Sequence, residues 1–197
     1  MSTTTAEVTV VIPTIPPRAA MLERALASVV AQTVPAAVLV EPDPGRTGSA
    51  ATRNRALAKV TTDWLLCLDD DDVLMPNAVQ LLTEAQQKTG ADVVSGGAWI
   101  PERPDHCEPG PLVPPGWISW QAITERSILT VASLVRTELA RLAGFEFRDD
   151  RRTGMHLDDF GFYGNLVGLG AKFWRIPETV FIWNHHGANT SGQPGRW

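Results

Sequence analysis

The sequence predicts an α/β protein built on an open, mostly parallel β-sheet that is flanked by helices. In the first half, short β-branched or apolar runs alternate with segments of helical periodicity. Proline, glycine or charged residues bound each of these segments, as expected at the ends of strands and helices. Strand–helix–strand units in this order form parallel sheets through right-handed crossovers.

The composition is that of a globular chain, and it excludes several functional classes. The 197 residues are 44% hydrophobic and 20% charged, which is enough to bury one core. The net charge of −5 leaves no basic excess for neutralising phosphates, so nucleic acid is not an expected partner. No apolar run approaches the roughly twenty residues of a membrane span. Because the polar N-terminus also lacks a signal-peptide core, we expect a single domain over residues 1–197 in the cytoplasm.

The elements of the first half follow from these patterns in order. Val8–Ile12 predicts the first strand because it is mostly β-branched and is followed by a proline. Apolar residues at helical spacing predict a helix over Ala19–Ala31, and Val38–Val40 predicts a second strand. The further predicted elements of this half are a helix over Ala50–Lys59, a strand over Trp64–Leu68, a helix from Pro76 to Lys88 and a strand over Asp92–Ser95.

The second half is less regular. Residues 101–116 are rich in proline, which predicts a long surface loop. The predicted elements that follow are a helix over Thr137–Ala143 that ends at Gly144, a helix over Leu157–Leu169, and strands over Lys172–Ile176 and Val180–Trp183.

Four aspartates, Asp69, Asp70, Asp71 and Asp72, directly follow the apolar strand at Trp64–Leu68. Ligands of open α/β sheets bind beyond the carboxyl ends of strands, so these carboxylates lie where a site is expected. In an extended chain, Asp69 and Asp71 would point to one side and the other two to the opposite side. Carboxylates this close repel one another unless they are protonated or share a divalent cation, for which Mg²⁺ and Mn²⁺ are suited. The alternative is a solvated acidic turn before the next helix.

No glycine-rich phosphate loop accompanies the first strand. The residues from Pro13 to Arg18 contain no glycine, and neither GxGxxG nor GxxxxGK followed by Ser or Thr occurs in the chain. This argues against a Rossmann dehydrogenase and a P-loop NTPase. A nucleotide would instead be held through a metal ion and the polar ends of strands.

A series of short motifs extends over nearly the whole chain, from about Val8 to Ser191. They are Val10–Thr14, Ala25–Gln32, Gly48–Asn54, Leu68–Asp72 with Pro76 beyond it, Gly144–Phe145, Asp158–Phe160, Gly170–Lys172 and Trp183–Ser191. Together and in this order, they resemble the family 2 glycosyltransferases, which have the GT-A fold. The resemblance implies a nucleotide-sugar-binding half over about residues 8–98 and an acceptor half, which carries the catalytic base, over about residues 99–197.

The resemblance also implies a metal site. Asp69 and Asp71 correspond to the two acids of the family's DxD motif, with Asp71 as a metal ligand and Asp69 near the metal or the ribose. His186 corresponds to a late histidine that approaches the diphosphate or the metal in some members.

Nucleotide contacts are implied at the ends of the first strands. Pro13 and Thr14 would line the base, and Arg53 would lie over the base or the ribose. Many members carry an acidic pair after the second strand, where this chain has Glu41 and Asp43, so either of these two carboxylates is a candidate for contacting the base. The expected nucleotide-binding residues are therefore Pro13, Thr14, Glu41, Arg53, Asp69 and Asp70.

Asp158 and Asp159 occupy the place of the family's Glu-Asp pair, which makes both of them candidate catalytic residues. The resemblance implies that Asp159 is the general base. A carboxylate in hydrogen-bond reach of an acceptor hydroxyl removes its proton, and attack opposite the leaving group inverts the sugar. From the residues alone, N-terminal capping of the helix that begins nearby is an equal alternative.

The expected function is a metal-dependent, inverting transfer of a hexose from a nucleotide sugar, with a UDP-sugar as donor and Mn²⁺ or Mg²⁺ as cofactor. A glycan, a protein or a small molecule would supply the acceptor hydroxyl. An enzyme alternative is a haloacid-dehalogenase-type phosphatase, because Asp69–Val73 fits its DxDxV pattern. In that class, however, the acids follow the first strand, and here two predicted strands precede them. A sugar-nucleotide or glycan-binding module without turnover is the non-enzyme alternative.

Overall fold

The computed structural model of the protein describes residues 7–101, 107–108, 113–125, 127–150 and 155–185. The helices are α1 (Ala19–Val30), α2 (Ser49–Leu57), α3 (Ala78–Thr89), α4 (Trp120–Glu125), α5 (Thr137–Ala143) and α6 (Asp158–Gly168), with a 3-10 turn at Pro16–Arg18. The strands are β1 (Val8–Thr14), β2 (Ala37–Pro42), β3 (Trp64–Cys67), β4 (Val73–Leu74), β5 (Val93–Trp99), β6 (Cys107–Glu108), β7 (Gly116–Ile118), β8 (Leu134–Arg136), β9 (Arg148–Asp149), β10 (His156–Leu157) and β11 (Phe173–Ile182).

A nine-stranded sheet runs through the molecule in the order β2-β1-β3-β8-β5-β11-β4, with β6 paired to β5 and β7 paired to β11. The strands β1, β2 and β3 are parallel to one another, and β5 is parallel to β11. The short strand β8 lies between β3 and β5 and is antiparallel to both. The predicted open, mostly parallel sheet with flanking helices is confirmed, and β8 and β11 bring strands of the second half into the same sheet.

The sheet is covered on both faces, which explains the continuous apolar runs of its central strands. Neighbouring residues alternate between two core layers: Val11 and Leu65 belong to one layer, Val10 and Leu66 to the other. The first layer packs under α2, α5 and α6, and the second packs under α1 and α3. All four side chains are fully buried, so these strands fix the position of the loops at their ends.

Several details differ from the sequence expectations. The helix expected from Pro76 begins at Ala78, and its C-terminal Gly90 has the left-handed φ of 66° that commonly ends a helix. The two late strands form one strand, β11, because shifts in its register with β5 let it continue through the irregular residues in its middle. The strand β8 was not expected, because three residues are too few for a periodic pattern. The same reason applies to the other short elements that the sequence did not predict, which are β4, β6, β7, β9, β10 and α4. The strand β6 lies within the expected loop over residues 101–116.

Within the described ranges, no helix is both long enough and apolar enough to cross a lipid bilayer.

Gly161 allows α6 to lie directly against the segment that precedes β9. A Cβ atom at this position would lie 1.8 Å from the carbonyl oxygen of Glu146. No side chain fits there unless the helix or the backbone of the segment moves. The position of α6 matters because the two candidate catalytic aspartates begin this helix.

Replacing Gly161 with alanine is expected to lower the free energy of unfolding by about 1–3 kcal/mol through overpacking. Gly168→Ala, in the same helix, is the matched control because nothing lies within 4 Å of its Cβ position. There the gain in helix propensity, up to about 1 kcal/mol, should leave stability equal or slightly higher. Urea denaturation of both variants measures the difference, and equal unfolding free energies would contradict this packing.

Candidate active site

Loops from the carboxyl ends of several strands meet at one edge of the sheet. Thr14, at the end of β1, donates a hydrogen bond of 2.7 Å from its Oγ1 to Oδ2 of Asp70, which follows β3. Beyond the end of β11, the backbone N–H of Asn184 donates to Oδ1 of Asp72 at 2.9 Å. The four-aspartate segment after β3, here called the acid loop (Asp69–Asp72), is therefore held from two sides.

Three carboxylates of the acid loop converge on one point. Asp69, Asp71 and Asp72 each offer an oxygen, and these oxygens all lie within 4.8 Å of one another. The chain turns here, with the N–H of Asp72 donating to the carbonyl of Asp69 at 3.1 Å. This turn corrects the extended-chain expectation, which placed Asp72 on the opposite side from Asp69 and Asp71. Three carboxylate oxygens so close together fit a divalent cation such as Mg²⁺ or Mn²⁺.

The electrostatics of the acid loop support the same interpretation. Burial raises the pKa of Asp69 to about 6, with Arg53 opposing the shift and Asp71 adding to it. Burial also raises the pKa of Asp72, and the neighbouring charges of Asp69 and Asp71 increase the effect. Buried like charges favour protonation, and a cation shared between them removes the repulsion.

Asp70 faces the other way, towards the end of β1. Besides the bond from Thr14, its Oδ1 accepts a hydrogen bond of 2.8 Å from Nη1 of Arg18. The same nitrogen lies 3.3 Å from Oδ2 of Asp71. The structure thus brings Thr14 and Asp70 together, and nucleotide binding by these residues and by the neighbouring Pro13 stays a prediction.

Asn184 joins the end of β11 to the acid loop through two hydrogen bonds. Its backbone contacts Asp72 as described, and its side-chain Nδ2 donates to the carbonyl of Asp71 at 2.7 Å. Next to it, the rings of Trp183 and His185 pack edge to face with centroids 4.5 Å apart. The predicted metal or diphosphate contact, His186, lies outside the described residues.

Arg53, from α2, joins the acid loop to the second half of the chain. Its guanidinium forms one ion pair with Asp69 and another with Asp158, and it lies 5.5 Å from the centroid of the Phe145 ring. The residue is only 3% exposed. Burial alone would lower its pKa, but the two carboxylates keep the pKa above its ordinary value. The sequence expectation put Arg53 over the base or the ribose. In the structure the guanidinium of Arg53 instead lies between the carboxylates of Asp69 and Asp158. A contact of Arg53 with a nucleotide stays a prediction.

The two aspartates that begin α6 have different surroundings. Asp158 is paired with Arg53, whereas no cation among the described residues pairs with Asp159. Oδ1 of Asp159 accepts a hydrogen bond of 2.7 Å from the N–H of Phe160. Burial raises the pKa of Asp159 to about 7, and the charge of Asp158 adds to this shift. A carboxylate with such a pKa is a suitable general base near neutral pH.

Glu41 and Asp43, the candidates for contacting the base, are both buried and bonded to their own surroundings. Glu41 forms ion pairs with Arg55 of α2 and with Lys59, which lies just beyond the end of that helix. Asp43 accepts hydrogen bonds from Thr47 and from the N–H of Gly48, both at about the usual length. Burial alone would raise the pKa of Asp43, but these bonds hold it below its ordinary value. Recognition of a base by either carboxylate stays a prediction.

Three residues at this edge were not identified as site residues from the sequence. Asp72 completes the carboxylate cluster, Arg18 contacts two of the aspartates, and Asn184 holds the acid loop. The acid loop was identified because it follows the carboxyl end of a strand. Arg18 and Asn184 could have been found in the same way, because each closely follows the end of a strand.

Comparisons with known proteins give one match to a family model and several matches in fold. Residues 35–106 match the model described as glycosyl transferase family 2. Over this segment, which is less than half of the chain, the sequence is similar to that family. The predicted resemblance to family 2 is confirmed over these residues. No curated protein matches the chain.

Two solved structures illustrate the likeness in fold. For S. aureus TarS 1–349 in complex with UDP-GlcNAc, the TM-score is 0.67 and the identity 15%, over 91% of this chain and 59% of that chain. For the mannosyltransferase PcManGT from Pyrobaculum calidifontis in complex with GDP-Man and Mn²⁺, the TM-score is 0.62 and the identity 16%, over 91% of this chain and 57% of that chain.

The likeness to these structures confirms the GT-A-type fold, and this chain spans less than two thirds of their length. The acid loop follows the third strand of the chain, after β1 and β2. This arrangement does not favour the phosphatase alternative, in which the acids follow the first strand.

Replacing Arg53 with methionine is expected to lower the free energy of unfolding at pH 7 by about 3–5 kcal/mol, because the buried Asp158 and the partly buried Asp69 lose their counter-charge. This loss in unfolding free energy should be smaller at pH 4, because the carboxyl groups left unpaired become protonated there. Urea denaturation at both pH values measures these changes.

Arg136→Met is the control for this prediction, because Arg136 is more than a third exposed and pairs with Asp92 near the surface. Its loss should cost less than about 1 kcal/mol. Equal losses of unfolding free energy in Arg53→Met and Arg136→Met would contradict a structural role of the ion pairs of Arg53.

Proposed function

We propose that the protein transfers a hexose from a nucleotide sugar to an acceptor hydroxyl, with Mn²⁺ or Mg²⁺ as cofactor and with inversion at the sugar. One observation carries the proposal: Arg53 joins the carboxylate cluster of Asp69, Asp71 and Asp72 to the pair Asp158 and Asp159. A cluster suited to a cation and a carboxylate suited to a base are thus connected at one edge of the sheet.

On the donor side, the chain supplies the oxygen ligands. Asp71 and Asp69 would hold the cation, with Asp72 as a third ligand and His186 as a further candidate. When bound, the cation stabilises the negative charge that develops on the diphosphate leaving group. Thr14 and Pro13 would line the nucleotide at the end of β1, where Thr14 already orients Asp70.

On the acceptor side, Asp159 would take the proton of the attacking hydroxyl. Because Asp158 is neutralised by Arg53, it is positioned for support, while Asp159 keeps its basic oxygens free of a cationic partner among the described residues. Burial raises the pKa of Asp159 to about 7, which strengthens it as a base. Attack from the face opposite the diphosphate in a single displacement inverts the configuration.

A UDP-sugar is the first donor to test, and a GDP-sugar the second. The names of the similar structures support both, since one is a complex with UDP-GlcNAc and another a complex with GDP-Man and Mn²⁺. The acceptor belongs to the broad class of hydroxyl-bearing glycans, proteins and small molecules.

Binding of UDP should raise the melting temperature only when Mn²⁺ is present, because the cation links the diphosphate to the acid loop. Asp71→Asn should abolish this shift. Asp63→Asn, at an exposed position just before β3, is the matched control and should keep it. A differential scanning fluorimetry screen with UDP and GDP, with and without Mn²⁺, makes the measurement. A full shift in Asp71→Asn would refute the metal site.

Asp159→Asn should reduce transfer by roughly 10²–10⁴-fold, the usual share of a positioned general base, and should keep UDP affinity. In the unmodified protein, kcat/KM should rise with pH up to about 7, because the base works only when deprotonated and its pKa is about 7. The variant should lose this rise.

Asp149→Asn, on the exposed strand β9, is the control and should transfer normally. Asp158→Asn should cost less transfer than Asp159→Asn but should lower stability, because Arg53 loses a partner. Undiminished transfer in Asp159→Asn would remove it as the base. Metal-dependent binding of UDP or GDP without any transfer from either donor would favour the binding-module alternative.

A further inference from the structure

Arg18 occupies a position at the acid loop that the proposed reaction does not use. It ends the 3-10 turn Pro16–Arg18 directly after β1, and its side chain is 13% exposed. Its Nη1 lies 2.8 Å from Oδ1 of Asp70 and 3.3 Å from Oδ2 of Asp71. One nitrogen of the guanidinium therefore faces two consecutive carboxylates.

The two contacts of Arg18 are not equivalent. Asp70 is anchored on its other oxygen by Thr14 at 2.7 Å, and its bond to Arg18 is the shorter of the two. Asp71 belongs to the carboxylate cluster with Asp69 and Asp72, whose oxygens lie within 4.8 Å of one another. Arg18 is thus firmly held by an aspartate outside the cluster and reaches more weakly to one inside it.

The local backbone keeps Arg18 close to the end of β1. Pro16 and Pro17 restrict the backbone dihedrals directly after β1, and the N–H of Arg18 donates to the carbonyl of Ile15 at 3.2 Å. A turn of this kind keeps the start of the arginine side chain near the strand end, so the backbone loses little conformational freedom when the guanidinium contacts the acid loop.

A cation bound by the cluster would lie close to Arg18. Both carry positive charge, and both would use the carboxylate of Asp71. Like charges at such separations repel, and binding of one weakens binding of the other by the same factor. Arg53 does not compete in this way for Asp71, because its partners are Asp69 and Asp158.

We propose that Arg18 is the resident counter-ion of the acid loop: it holds Asp70 and Asp71 in place before a divalent cation binds, and the cation displaces it from Asp71. Arg18 then stays bonded to Asp70. It therefore stabilises the cation-free protein more than the cation-bound protein, and it lowers the affinity for the cation. This inference rests on the cation site of the proposed function.

The test compares Arg18→Gln and Arg18→Lys with Arg24→Gln, which removes the same charge from an exposed position on α1. Free Mn²⁺ is measured by electron paramagnetic resonance in the absence of nucleotide, which gives the Kd without any assay of transfer. Arg18→Gln should bind Mn²⁺ about tenfold more tightly than Arg24→Gln, as expected for removing a positive charge near a divalent one. Arg18→Lys keeps the charge but has no planar fork, so its Kd should lie between the two.

Melting temperatures provide the second readout. Without Mn²⁺, Arg18→Gln should melt below Arg24→Gln, because the acid loop has lost its counter-ion. As Mn²⁺ is added, this gap should narrow, since the cation takes over the neutralisation of Asp71. If Arg18→Gln does not fold, the same two measurements on Arg18→Lys test the proposal: its Kd for Mn²⁺ and its difference in melting temperature from Arg24→Gln.

The outcomes separate this inference from the proposed function. Binding of Mn²⁺ with the same Kd in all variants, or a melting gap that stays constant up to saturation, overturns the role of Arg18 and leaves the cation site intact. Absence of Mn²⁺ binding in the unmodified protein and in every variant contradicts the metal-dependent function itself, and the inference is overturned with it.

Discussion

The two ion pairs of the buried Arg53 are the interaction on which the arrangement of this site depends. They join Asp69, beside a central strand, to Asp158, at the start of α6. Burying these charges is costly, and the mutual attraction repays that cost only while all partners are present. The same pairing makes two neighbouring aspartates unlike each other, because Asp158 is neutralised and Asp159 keeps a raised pKa. One arginine therefore joins two distant segments of the chain and also gives the two adjacent aspartates different surroundings.

The acid loop likewise brings carboxylates together with too few positive charges to neutralise them. Its carboxylates exceed the cationic groups that contact them in the described residues, where Arg18 and Arg53 both take part. Burial then raises the pKa of Asp69 and Asp72 instead of allowing free ionisation. Hydrogen bonds from Thr14 and Asn184 keep the loop in this unfavourable arrangement. Such a loop is preorganised to accept positive charge, which is the property that a diphosphate leaving group requires of its cation site.

The strands of the sheet and the edge where the site lies could be predicted from the sequence, because both depend on local patterns of residues. Covered parallel strands give continuous apolar runs, and polar residues at their carboxyl ends identify the edge where Asp69 and Asp71 lie. The pairing of Arg53 with Asp158 could not be predicted in this way, since the two residues are 105 positions apart. The inclusion of Asp72 in the cluster depends on a tight turn, which an extended-chain pattern does not contain.

The most direct test of the account is a crystal structure with Mn²⁺ and UDP, with the metal located by anomalous scattering. We expect one anomalous peak between the carboxylates of Asp69, Asp71 and Asp72, with the diphosphate bound to the metal on the side that faces Asp159. The pairs of Arg53 with Asp69 and Asp158 should persist. A manganese peak away from the acid loop, or UDP bound at this edge without any metal, would contradict the account.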